Sequence, residues 1–138
     1  MSNGLRSQRV TLMKKDERPP MWLGHIAMQV PDVGAAKAFF LELGMRDVLP
    51  DAEEFAILEL RAGTHLIVEN SKAKVDPGTL APFDLMVDDV EAMHGELSAR
   101  GLDTSPLDVG SIHTSFTVAE PNGFLVKYNS SHNTGLPV

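Results

Sequence analysis

Residues 24–44, GHIAMQVPDVGAAKAFFLELG, decide the fold because much of the stretch occurs twice. Shifted by 57 positions it falls on PFDLMVDDVEAMHGELSARG, which ends at Gly101. Val30, Asp32, Val33, Ala35 and Gly44 then coincide with Val87, Asp89, Val90, Ala92 and Gly101. Each copy reads as a strand, a capped helix and a glycine stop. In the first, His25 to Val30 alternates with period two: His25, Ala27 and Gln29 share one face, and Ile26, Met28 and Val30 the other. Pro31 ends that strand, and Asp32 supplies a carboxylate for the free amides of a helical first turn. Val33, Ala36, Phe40 and Leu43 recur at helical spacing, and Gly44 gives a left-handed stop.

Between the copies the chain reads as a meander. Met45 to Leu49 is a short strand, and Phe55 to Leu60 and Thr64 to Asn70 are two more, joined at Ala62-Gly63. On the last of these His65, Ile67 and Glu69 share a face, His65 lying near the solvated hairpin end. Residues 71–80 form a polar linker. The second copy runs Phe83 to Val87, a helix capped by Asp88 or Asp89 with the stripe Val90, Met93 and Leu97, and a stop at Gly101. Strands over 107–109, 112–119 and 124–129 follow. The turn Glu120-Pro121-Asn122-Gly123 precedes the last one, with Asn-Gly taking the positive dihedrals. The order is therefore βαβββ twice. The predicted class is α+β: two βαβββ modules forming a curved mixed sheet around a cleft, with the helices on the outer face. The modules span about 22–70 and 82–131 within a domain of residues 21–131, preceded by a polar extension, 1–20, and followed by a tail, 132–138.

Composition narrows the function. No apolar run approaches a membrane span, and no signal-peptide core stands at the N-terminus, so a cytoplasmic location is expected. The chain has no cysteine, which removes disulfides, thiolate nucleophiles and cysteine metal sites. The formal charge is −7, with +3 on residues 1–20 and −10 on the rest. A body this acidic disfavours nucleic acid and suits neutral or cationic guests.

The paired units, His25 opening the first strand, VPDV before the first helix, the LELGM helix exit and EPNG before the last strand resemble the vicinal oxygen chelate superfamily. That group holds glyoxalases, extradiol dioxygenases and bleomycin-resistance proteins. The resemblance implies a homodimer, a small-molecule cleft and, in the metalloenzymes, four ligand positions at the first and last strands of each half. Carried over residue by residue, the first position is His25 and its repeat mate is Pro82. Aligning Gly63 with Gly123 places Ile67 and Lys127 at the other two. Only His25 can coordinate. A remodelled set of His25, Glu69 and His113, all on cleft-facing sides, is the alternative divalent-metal site; in the other reading no cofactor is held and Glu69 pairs with Lys127.

His25 is also the candidate acid–base group, being able to titrate near neutral pH. Gln29, His113, Ser115 and Lys127 are candidate ligand contacts on the same faces. Asp84 interrupts an apolar strand, and a bulge at Pro82 would decide its face. His94 and His132 read as solvated or structural. The expected function is a glyoxalase- or dioxygenase-like small-molecule enzyme with a degenerate or remodelled metal site. The alternative is a metal-free small-molecule binding protein of the bleomycin-resistance kind.

Overall fold

The computed structural model describes residues 15–132 and 135–138. Most of the basic extension, residues 1–14, lies outside the described residues, and residues 15–20 carry no helix or strand. The element order is β1 (His25–Val30), α1 (Val33–Glu42), β2 (Arg46–Asp47), β3 (Phe55–Glu59), β4 (His65–Asn70), β5 (Thr79–Val87), α2 (Val90–Ala99), β6 (Asp108–Val109), β7 (Thr114–Ala119) and β8 (Phe124–Ser130). This is βαβββ twice. The strands form two four-stranded mixed sheets, ordered β1-β4-β3-β2 and β5-β8-β7-β6. In each, the first strand pairs parallel with the last and the others antiparallel. β1 and β5 lie beside each other where the two sheets meet.

The caps follow from the sequence. The Ala35 N–H donates to Asp32 Oδ1 at 3.0 Å, and the Ala92 N–H to Asp89 Oδ1 at 2.9 Å. Each carboxylate satisfies an amide that has no partner inside its own helix. Asp88 is not the cap; it is exposed and pairs with Arg61 at 2.8 Å.

One face of each sheet is sealed by its helix. Met28, Val30, Ala56, Leu58, Leu66 and Val68 are buried beneath α1, which contributes Val33, Ala36, Phe39 and Phe40. Beneath α2 lie Phe116, Val118, Val126 and Tyr128. One apolar cluster runs through both modules, with the Phe40 ring 6.1 Å from that of Phe83 on β5. At the other end of β1, Asn122 Oδ1 accepts from the Asp32 N–H (2.8 Å), and its Nδ2 donates back to Asp32 O (3.0 Å). Asn122 thus hydrogen-bonds across the module boundary through its side chain.

Three local expectations are corrected. In the Glu120–Gly123 turn only Gly123 takes a positive φ, +117°, while Asn122 does not. A Cβ at Gly123 would stand 3.1 Å from the Val75 carbonyl oxygen, so backbone approach also favours glycine there. β5 begins at Thr79, not Phe83, with its register broken between Leu80 and Asp84. Pro82 lies inside that break, where no ladder hydrogen bond is asked of it. His94 is half-buried: its Nε2 is 2.8 Å from the Ser105 carbonyl oxygen, and its ring stands edge-on to Phe116.

Tyr128, the single tyrosine of the chain, is 3% exposed and stacks on Phe116 with centroids 4.9 Å apart. Burial pushes its phenol up from 10.0 to about 12. The folded value is raised, so its stabilising contribution is complete below the unfolded value and is lost as pH rises through about 12. An alkaline absorbance titration of the folded protein is expected to show its tyrosinate rise near 12. A midpoint near 10 with the far-ultraviolet dichroism still native would contradict the buried placement.

Candidate functional site

The faces away from the helices carry the polar side chains singled out by the sequence. On the first sheet, strand register arranges them in rows. His25 lies opposite His65, which lies opposite Glu59, which lies opposite Arg46. The next row is Ala27, Ile67 and Ile57, and the one after it Gln29, Glu69 and Phe55. The alternation of period two places all of these on the open face, and for His25, Ala27, Gln29, His65, Ile67 and Glu69 the shared faces are those expected from sequence.

Within the first row the groups touch. The rings of His25 and His65 stack with centroids 6.0 Å apart. His65 Nε2 is 3.3 Å from Glu59 Oε2, and the Arg46 guanidinium donates to Glu59 Oε1. That guanidinium, followed by the charge of His65, holds the Glu59 carboxyl below its ordinary range, against the opposing effect of burial. Glu59 was missed from the sequence. The hairpin gave the signal: strands centred on Ala62 must pair Glu59 with His65. Ala62 and Gly63 both have positive φ, 62° and 83°, and so form the turn.

Glu69 stands elsewhere. Its row is two rows beyond that of His25, four residues along the strand, or about 13 Å at 3.3 Å per residue. The two cannot share one ion in one chain. Nor does Glu69 pair with Lys127: among the described residues neither forms an ion pair.

On the second sheet the open-face rows are Asp84, Lys127 and Thr117, then Met86, Asn129, Ser115 and Asp108. The register break therefore puts Asp84 on the open face, where its Oδ2 accepts from Asn129 Nδ2 at 3.0 Å. The other amide atom, Asn129 Oδ1, is buried without a partner among the described residues. Ser115, opposite Asn129, is also buried. His113 precedes β7, with Nδ1 2.9 Å from the Ser130 carbonyl oxygen and its ring 4.9 Å from that of His132. A carbonyl only accepts, so Nδ1 carries the proton and the lone pair of a neutral His113 is on Nε2.

Among the described residues of one chain, no three His, Asp or Glu side chains are grouped to hold an ion. Pro82, Ile67 and Lys127 supply no donor at three of the four positions implied by the resemblance. His25, Glu69 and His113 are not brought together. The donor set of the single chain does not fit a resident metal.

A separate cavity of about 310 Å³ opens between the linker and the end of β1, lined by Gln29, Ser71, Lys74, Asp76, Thr79 and Phe124 among others. Of the candidate residues only Gln29 reaches it. Among the described residues no helix is long and apolar enough to cross a membrane.

No protein-family profile matches the sequence, and no curated protein is significantly similar to it. Solved structures do match. A lactoylglutathione lyase from Agrobacterium tumefaciens superposes with a TM-score of 0.67 at 18% identity, over 83% of this chain and 96% of that one. A bleomycin-binding protein from Streptomyces verticillus, complexed with copper(II)-bleomycin, gives 0.66 at 19%, over 83% and 100%. A glyoxalase/bleomycin resistance protein/dioxygenase from Alicyclobacillus acidocaldarius gives 0.67 at 19%, over 84% and 96%. With the repeated βαβββ order, the parallel first-to-last pairing and the open polar faces, these matches establish that the chain has the vicinal oxygen chelate fold.

Proposed function

We propose that the protein is a small-molecule enzyme of the glyoxalase/dioxygenase kind whose site has been remodelled around its own acid–base and hydrogen-bonding groups. The observation that carries this reading is the set of oriented imidazoles on the open faces. His113 is fixed by a backbone carbonyl, and His25 stands in a row with His65 and Glu59. In this reading His25 is the catalytic candidate, and Gln29, His113, Ser115 and Lys127 contact the ligand. Lys127 donates to a carbonyl or carboxylate oxygen, in place of the charge a metal would supply.

A homodimer fits the same reading. Met21, Trp22, Met86, Val109 and Ile112 are each more than half exposed, and a second copy covering them would enclose open faces that one chain leaves in solvent. The expected compartment is the cytoplasm.

The test is turnover of α-oxo and catecholic compounds by chelator-treated protein. Activity that survives chelation and disappears in His25→Ala is the expected result. One metal per chain retained after loading with Zn, Ni, Mn or Fe(II), and lost in His25→Ala, would contradict it by restoring a metal site.

A second reading, metal-free sequestration, is favoured by a different observation. Ile67 and Lys127 stand where donors would be needed, and the body is acidic enough for a cationic guest. Tight binding of metal-free bleomycin with no turnover of any compound in the panel is its signature.

A further inference from the structure

The row Arg46, Glu59, His65 and His25 holds more chemistry than the candidate residue His25 supplies. Glu59 is a half-buried carboxylate between two partners: the Arg46 guanidinium at Oε1 and His65 Nε2 at 3.3 Å from Oε2. An ionised carboxylate only accepts, so it favours the proton of a neutral His65 on Nε2. The lone pair then resides on Nδ1, which has no hydrogen-bond partner among the described residues. His25, by contrast, forms no ion pair among the described residues, and its contact in the row is the stacked His65 ring. A carboxylate behind an imidazole, with the opposite nitrogen left open, is the arrangement by which a base is held in one tautomer and its protonated form is stabilised.

We infer that His65 is the proton acceptor of the open face, with Glu59 as its positioning residue and His25 beside it in contact with the ligand. The inference rests on the enzymatic reading above and deepens it. In the step it implies, an acidic C–H or O–H bond of the substrate breaks, an Nδ1–H bond forms on His65, and the electron pair stays on the substrate. The imidazolium then faces Glu59 and can return the proton to the same or a neighbouring atom. No oxidant or second reactant is needed, so the matching reaction class is isomerisation or elimination begun by proton removal.

Long-range ¹H–¹⁵N spectra of imidazole-labelled, ligand-free protein at neutral to mildly alkaline pH test the assignment, the His65 signals being identified by their absence in His65→Asn. The wild type is expected to show His65 in the Nε2–H tautomer, and Glu59→Gln to lose that preference. A wild-type His65 protonated mainly on Nδ1, or a preference unchanged in Glu59→Gln, overturns the assignment. For any compound the wild type converts, full turnover by His65→Asn overturns it as well, and loss of turnover supports it. The tautomer is read without ligand, so its failure would remove His65 from the mechanism while leaving a site centred on His25 standing.

Discussion

Replacing Phe40 by alanine is expected to cost about 4 kcal/mol, the range for emptying a buried phenylalanine position. Phe40 is fully buried, with its ring edge-on to Phe39 at 5.2 Å and 6.1 Å from Phe83. It belongs to the first module, whereas Phe83 belongs to β5 of the second, so the void would open on the boundary between them. Small domains have stabilities of only about 5–15 kcal/mol, so such a loss takes a large share of the total. Urea unfolding followed by circular dichroism should show the midpoint falling in a single transition, because one cluster spans both modules. A loss below about 1.5 kcal/mol would mean that neighbouring side chains collapse into the site, as volume-tolerant positions allow. Two separate transitions in the variant would contradict the shared core.

The second large effect concerns Glu120, a carboxylate only 2% exposed. It accepts from the Asn122 N–H at 2.8 Å, from Asn122 Nδ2 at 2.6 Å and from the Phe124 N–H at 3.4 Å. Glu120→Ala is expected to cost about 3 kcal/mol, because hydrogen bonds to a charged acceptor are among the stronger ones and their half-buried donors would lose that acceptor. The loss should propagate. Asn122 is held by Glu120, and it is the side chain that bonds Asp32 in both directions at the cap of α1. The amide protons of Asn122 and Ala35 should therefore exchange faster in the variant, which hydrogen-exchange NMR reads directly. A cost within about 0.5 kcal/mol, the usual value for a surface substitution, would contradict this role.

These two residues show what the sequence makes legible and what it does not. Phe40 is readable from periodicity alone, since Val33, Ala36 and Phe40 mark one side of a helix. Helix starts were equally readable from Asp32 and Asp89, because capping is local chemistry. The EPNG turn was recognised as a turn, but its work is non-local. Neither the Glu120 cradle nor the bond from Asn122 to Asp32, 90 residues away, leaves a local pattern. The start of β5 is not legible because Pro82 interrupts its pattern, while the pairing of Thr79 and Leu80 with Phe124 and Leu125 depends on a distant strand.

For the candidate site the division is sharper. Alternation of period two tells which face a residue takes, and it placed His25, Gln29 and Glu69 on one face of β1 and β4. It does not tell which row. That comes from the parallel register, which sets His25 opposite His65 and leaves Glu69 opposite Gln29. A face-level reading could therefore propose His25 and Glu69 as joint ligands, and row-level geometry separates them. The face of His113 is legible from alternation as well, but the Ser130 carbonyl that fixes its tautomer is reached only through the folding of β8 beside β7.

The most direct test is an amide NMR titration of the protein with metal-free bleomycin, a glutathione adduct of an α-oxo aldehyde, and a catechol. At least one of them is expected to shift the resonances of His25, Gln29, His113, Ser115 and Lys127 together, with the helix residues little changed. Shifts confined to the linker cavity around Ser71 to Thr79, or none with any of the three, would contradict a small-molecule site on the open faces of the two modules.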